Sequence, residues 1–176
     1  MLPILVPALE TWDEKEECFN YEEEVRLELE HSLESISKWE SKWHIPFYGL
    51  EKKTIEQTID YIRCMTISDC VDDRVYERLT AQNYNDINHY IDDTMTATWF
   101  RESNSSKKYS SKIITSELIY YWMIAYNIPI ECEKWHINRL LTLIKVCNEE
   151  NKPPKKMSRA ETLKQYASIN AARRKH

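Results

Sequence analysis

Glycine is nearly absent: Gly49 is the single one in 176 residues. Glycine supplies the left-handed conformations of tight hairpin turns and the bare backbone of phosphate-cradling loops. Its scarcity therefore argues against a strand-rich fold and against any glycine-rich nucleotide loop. Long apolar runs are missing too, and none could span a bilayer. The opening MLPILVPALE is apolar but has neither a basic start nor a small-residue cleavage site, so it is a poor secretory signal. The five cysteines, Cys18, Cys64, Cys70, Cys132 and Cys147, are odd in number and include no C-x-x-C pair, which reads as reduced thiols of a soluble intracellular protein.

What is present is a chain of one-domain size with 42% hydrophobic and 30% charged residues, enough to bury a core without metals or disulfides. The net charge of −5 hides an asymmetry: residues 1–60 sum to −9, residues 61–150 to −3 and residues 151–176 to +7. An acidic body with a cationic tail suits a tail that meets an acidic surface, whether nucleic acid, a protein partner or the chain's own N-terminal half. Nucleic acid is the least favoured of these, because the whole is negative and the tail holds only Tyr166 to stack on a base.

The pattern along the chain predicts a mainly α fold: one helical domain with a small N-terminal β-hairpin over residues 1–150, then a proline-containing linker and a basic C-terminal helix over 151–176. Leu2–Val6 and about Glu17–Tyr21 read as short strands around Thr11-Trp12-Asp13, with Pro3 and Pro7 confining the first to an edge. Asn20 with Glu23 suggests a capping box opening a long helix to Trp43, ended by Pro46. Thr54 with Gln57 opens a second helix carrying Ile55, Ile59, Ile62 and Met65. Asp72 or Asp73 caps a short helix ending near Leu79, and Asn83 or Asn85 caps one carrying Ile87 and Ile91. Met95–Phe100 is rich in β-formers and reads as an extended edge, and Ser103–Ser111 as a polar loop.

The densest aromatic stretch follows. Leu118, Tyr121, Trp122 and Ala125 fall on one helical stripe, with Tyr120, Met123 and Tyr126 widening it. Pro129 stops that helix, and a second restarting near Glu131 carries Trp135, Leu140, Leu141 and Ile144 to Cys147, so the two are expected to pair antiparallel. An aromatic stripe usually packs inward. One this broad belongs either to a nearly surrounded helix or to a binding surface. After the linker Asn148–Lys156, a capping signal at Ser158–Glu161 opens a last helix ending in Arg173, Arg174, Lys175 and His176.

Catalytic chemistry is thin. Cys132 and His136 stand four apart, but two ligands do not make a zinc site and nothing adjacent supplies more. As a nucleophile and base they lack an orienting partner, so a core thiol beside a polar histidine is the better reading. The pairs Asp72-Asp73 and Asp92-Asp93 point in different directions on a helix and read as caps and solvated surface. A non-catalytic protein without metal or cofactor is expected.

Several blocks carry a family resemblance: SLESISKWESKWHIPF (32–47), TIDYIRCMT (58–66), MTATWF (95–100), ELIYYWMIAYNIPIECEKWHINRLLTLIKVCN (117–148), and PPKKMS with NAARRKH. In the same order over nearly the whole chain they resemble proteins encoded in the tail modules of long-tailed, siphovirus-type bacteriophages, whose members look like tail assembly chaperones. The loop 103–111 and the region around Asn83 depart from the pattern. The resemblance implies a protein of the infected bacterial cytoplasm that keeps the tape-measure protein, and as a second client the tail-tube subunits, soluble before tail polymerisation. Such a role needs an exposed apolar groove for amphipathic helices. Aromatic density and charge select Trp39, Trp43, Trp99, Tyr120, Trp122, Trp135, Arg139, Arg173 and Arg174 as partner contacts. Lys155, Lys156, Arg173 and Arg174 would add steering toward acidic segments. The competing expectations are a structural tail or connector component, a nucleic-acid-binding regulator using the C-terminal helix and, more weakly, a hydrolase.

Overall fold

The computed structural model describes residues 1–14, 17–100, 113–152, 163–164, 166–167 and 169–170. The chain divides into two compact units, Met1–Val146 and Cys147–His176.

The first unit opens with four strands, β1 (Leu2–Val6), β2 (Leu9–Asp13), β3 (Cys18–Glu22) and β4 (Val25–Leu29). β1 pairs antiparallel with β4 and β2 with β3, forming two two-stranded sheets. The fold is thus α+β, and the expectation of a mainly α domain is corrected. Val6 faces Val25 and Leu9 faces Glu22, so the register does not slip between the sheets. They are two halves of one long hairpin, interrupted where Pro7-Ala8 lies opposite Glu23-Glu24. Pro7 has no N–H to give to a ladder. In the basal half, alternation puts Ile4, Val6, Leu27 and Leu29 into the core.

Two expectations fail here for physical reasons. The long helix from Asn20 is replaced by β3 and β4, because Phe19, Tyr21, Val25, Leu27 and Leu29 recur at period two, and that pattern outweighs the Asn20 and Glu23 capping signature. Glycine scarcity did not exclude strands, because other residues take the left-handed positions: Glu17, His44, Cys70, Met95 and Asn127 all have φ between 48° and 55°. Gly49 is not among them. It serves close approach instead, since a Cβ there would lie 3.0 Å from the Pro46 carbonyl oxygen.

The first helix, α1 (Leu33–Trp43), starts at a Ser32 and Ser35 capping box and ends at a left-handed His44. The Thr54 and Gln57 box opens α2 (Ile55–Met65) as expected. Asp72 accepts from the Arg74 N–H to open a 3-10 turn over Asp73–Arg78. α3 (Ala81–Asp92) is capped by Thr80, so Asn83 lies inside the helix as the reciprocal partner and not at the cap. Residues 95–100 are irregular, not a strand; Met95 sits at positive φ with its N–H on Asp93 Oδ1. α4 (Ser116–Ala125), a 3-10 turn at Ile130–Lys134 and α5 (Ile137–Glu150) follow.

α4 and α5 do not form the expected antiparallel pair. α4 packs on α1, as does the 3-10 turn after it. Left-handed Asn127 and the Pro129 stop redirect the chain before α5 begins. α5 is set by the Ile137 N–H, which donates to the His31 carbonyl at 2.7 Å. The short segment joining β4 to α1 therefore holds both the end of α2, through Glu30 N–H to Met65 O at 2.8 Å, and the start of α5. Around it the core closes with Leu33, Ile36, Trp39, Ile62, Met65, Ile119, Met123, Ile137 and Leu140.

In the second unit, residues 148–150 are helical inside the segment expected to be a linker. Residues 163–164, 166–167 and 169–170 are helical and exposed. The prolines of the linker, the Ser158–Glu161 cap, Arg173, Arg174 and the 103–111 loop lie outside the described residues.

Candidate partner-binding surfaces

The residues selected from sequence separate into distinct places. Trp39 is 1% exposed, donates its indole N–H to the Gln57 carbonyl at 2.9 Å and packs edge-on against Phe47. Trp43 is half-buried and donates to Asp60 Oδ2 at 2.8 Å. The two indoles thus join α1 to α2, and Trp39 is closed to an outside partner. Tyr120 ties α4 to the following 3-10 turn through Glu133 Oε2 at 2.8 Å, and Trp122 is half-buried against the core. Trp99 stands 88% exposed. Trp135 and Arg139 meet, with the guanidinium 4.2 Å from the ring centre, beside a cleft of about 250 Å³ also lined by Glu30, Tyr90 and Met95.

The outer side of α4 was missed in the right place. Its covered stripe is Ser116, Ile119 and Met123, rotated from the expected one. The opposite side, Glu117, Tyr121 and Ile124, faces solvent, with Tyr121 64% and Ile124 75% exposed. A helix apolar on every side is normally enclosed. Among the described residues nothing covers this stripe.

Behind the surface lies a buried polar lattice that sequence did not reveal. Glu40, 7% exposed, accepts from the Phe47 N–H through Oε1 and the Ser116 N–H through Oε2, each at 2.7 Å, and so pins the start of α4 to α1. Asp60 accepts from Trp43 and pairs with Lys42. His31 Nδ1 is bonded to the Tyr61 hydroxyl, and its ring lies 5.1 Å, centre to centre, from that of His136. Burial pushes the Tyr61 hydroxyl well up, so it keeps its proton in this contact. Burial first, then the neighbouring His136 and Lys53, hold His31 down at about 3, a neutral ring. His136 Nδ1 accepts from the Asn138 N–H at 3.3 Å, so Nε2 carries the proton donated to the Tyr90 carbonyl at 2.9 Å. These contacts tie His136 to α3 and to the start of α5. Cys132 lies in the preceding 3-10 turn, not on the same helix, and burial pushes its thiol up. Among the described residues no group of three or more His, Cys, Asp or Glu side chains is placed to hold a metal, and no helix is long and apolar enough to cross a membrane.

The second surface is the distal half of the hairpin. Alternation places Trp12, Phe19 and Tyr21 on one face, 51%, 66% and 67% exposed, with the Trp12 and Phe19 rings edge-to-face at 4.8 Å. Its signal in the sequence was the polar and apolar alternation of CFNYE. Arg78 fastens the base of this half by donating to the Glu22 and Glu23 carbonyls at 3.3 and 3.2 Å.

Comparison of the chain with protein-family models, with curated proteins and with solved structures gave no match.

Proposed function

We propose that the protein is a non-catalytic tail assembly chaperone of long-tailed bacteriophages, working in the infected host's cytoplasm and binding an amphipathic helix of the tape-measure protein, with tail-tube subunits as a second client. The observation that carries this reading is the outward stripe of α4. Tyr121 and Ile124, one turn apart and exposed, form a short apolar track on a helix held at its start by Glu40. Such a track takes the apolar face of a partner helix. The lattice around Glu40 fixes the position of α4, so the track is preformed and little ordering is lost on binding. The ordered sequence blocks add the class of partner. Trp122, half-buried on the same helix, extends the reading, and the Trp135 with Arg139 pair and the exposed Trp99 are separate candidate contacts.

The test is co-expression with the tape-measure and tube proteins of the same tail module, affinity capture, and mass spectrometry of finished virions. Capture of the tape measure with absence from virions is expected. Fixed stoichiometry in virions would make the protein a structural tail component. The double substitution Tyr121→Asp/Ile124→Asp should weaken capture by at least about tenfold, since each side chain gains roughly 1.5–3 kcal/mol on burial, while leaving the thermal midpoint within a few degrees.

A further inference from the structure

The distal half of the hairpin has the build of a docking arm. Two strands alone in water are marginally stable, and exposed backbone edges recruit a further strand. Here two strands carry three aromatic rings on one face, and among the described residues no core lies behind them. Arg78 holds only the Glu22 and Glu23 carbonyls at the base of the pair, and the rest of both strands is exposed.

Charge decides what can occupy it. Residues 9–24 hold eight acidic side chains and one lysine, a net −7 in sixteen residues. A second copy of the arm would bring the same charge against itself, and anionic lipid or nucleic-acid phosphates would be repelled equally. A cationic polypeptide is attracted, and its ammonium or guanidinium groups can rest on the exposed ring faces. We infer that β2 and β3 form a docking arm that takes an extended, lysine- or arginine-rich segment of a partner protein along an outer edge of the pair, with its basic side chains reaching the aromatic face of Trp12, Phe19 and Tyr21. This occupant differs from the apolar helix assigned to α4 and goes beyond that reading.

The experiment titrates the full chain with a decapeptide alternating lysine with valine, and with its glutamate counterpart, following backbone amide shifts by NMR. Shifts confined to residues 9–22, with the lysine peptide bound at least tenfold more tightly, are expected. The double substitution Glu10→Lys/Glu14→Lys, which leaves the Trp12 and Phe19 pair in place, should weaken binding roughly tenfold, as a few exposed charge pairs would. Trp12→Ser should abolish it. Equal affinity for both peptides, shifts located elsewhere, no binding, or self-association through the arm would each overturn the inference. The Tyr121→Asp/Ile124→Asp protein should bind the peptide normally. In the unsubstituted protein, peptide binding without tape-measure capture would sink the chaperone reading alone, and capture without peptide binding would sink only the arm.

Discussion

Glu40 joins three parts of the chain through one carboxylate: its own helix α1, the turn at Phe47 and the first residue of α4. Both bonds are charge-assisted and neither donor has water as an alternative. Glu40→Gln keeps the shape but turns one acceptor into a donor facing an N–H. We expect a loss of about 3 kcal/mol in urea unfolding, from the range for hydrogen bonds to charged groups. His31 gives a second outcome. Its folded value, about 3, lies below the ordinary 6.5, so between those limits the unfolded chain binds the extra proton. Its contribution is complete above pH 6.5 and declines as the pH falls toward 3, with a slope up to about 1.4 kcal/mol per pH unit. Urea midpoints at about pH 5 and pH 7 should differ less in His31→Gln than in the parent.

At the scale of elements, the caps show what could be read from sequence and what could not. Thr54 and Gln57 follow the standard capping pattern, and Thr54→Ala should cost about 1 kcal/mol in thermal or urea unfolding. The boxes of Ser32 with Ser35 and Thr80 with Asn83 work by the same geometry but use a short third residue in place of glutamate or glutamine. That choice hid the true start of α1 and left Asn83 looking like a cap. α4 was legible as a helix. Its inward side was not, because a helix apolar all round carries no direction in its periodicity; only α1 and Glu40 fix it. The lattice of His31, Tyr61, Tyr90 and His136 was illegible because its members come from four separate segments and are joined only by tertiary packing. The aromatic face of the distal hairpin was half legible: its second strand could be read, while the partner strand through Trp12 was taken for the connection.

Across the whole molecule, stability should be uneven. The strand pair β1 and β4 is sealed by core residues and opens only with the fold, whereas β2 and β3 have solvent on both sides. Hydrogen exchange should show protected amides in the first pair and near-unprotected ones in the second, a difference of several kcal/mol in opening free energy. Comparable protection in both would mean that the distal pair is covered in solution. The interruption at Pro7 has a mechanical meaning. An unbroken ladder from Leu2 to Asp13 would be a stiff lever, and a pull at its tip would wrench Ile4 and Leu27 out of register with the helices beneath. Pro7-Ala8 breaks the ladder beside the Arg78 clamp on the Glu22 and Glu23 carbonyls, so load on the tip passes in part to the turn that carries Arg78 and not straight down the ladder to Ile4 and Leu27.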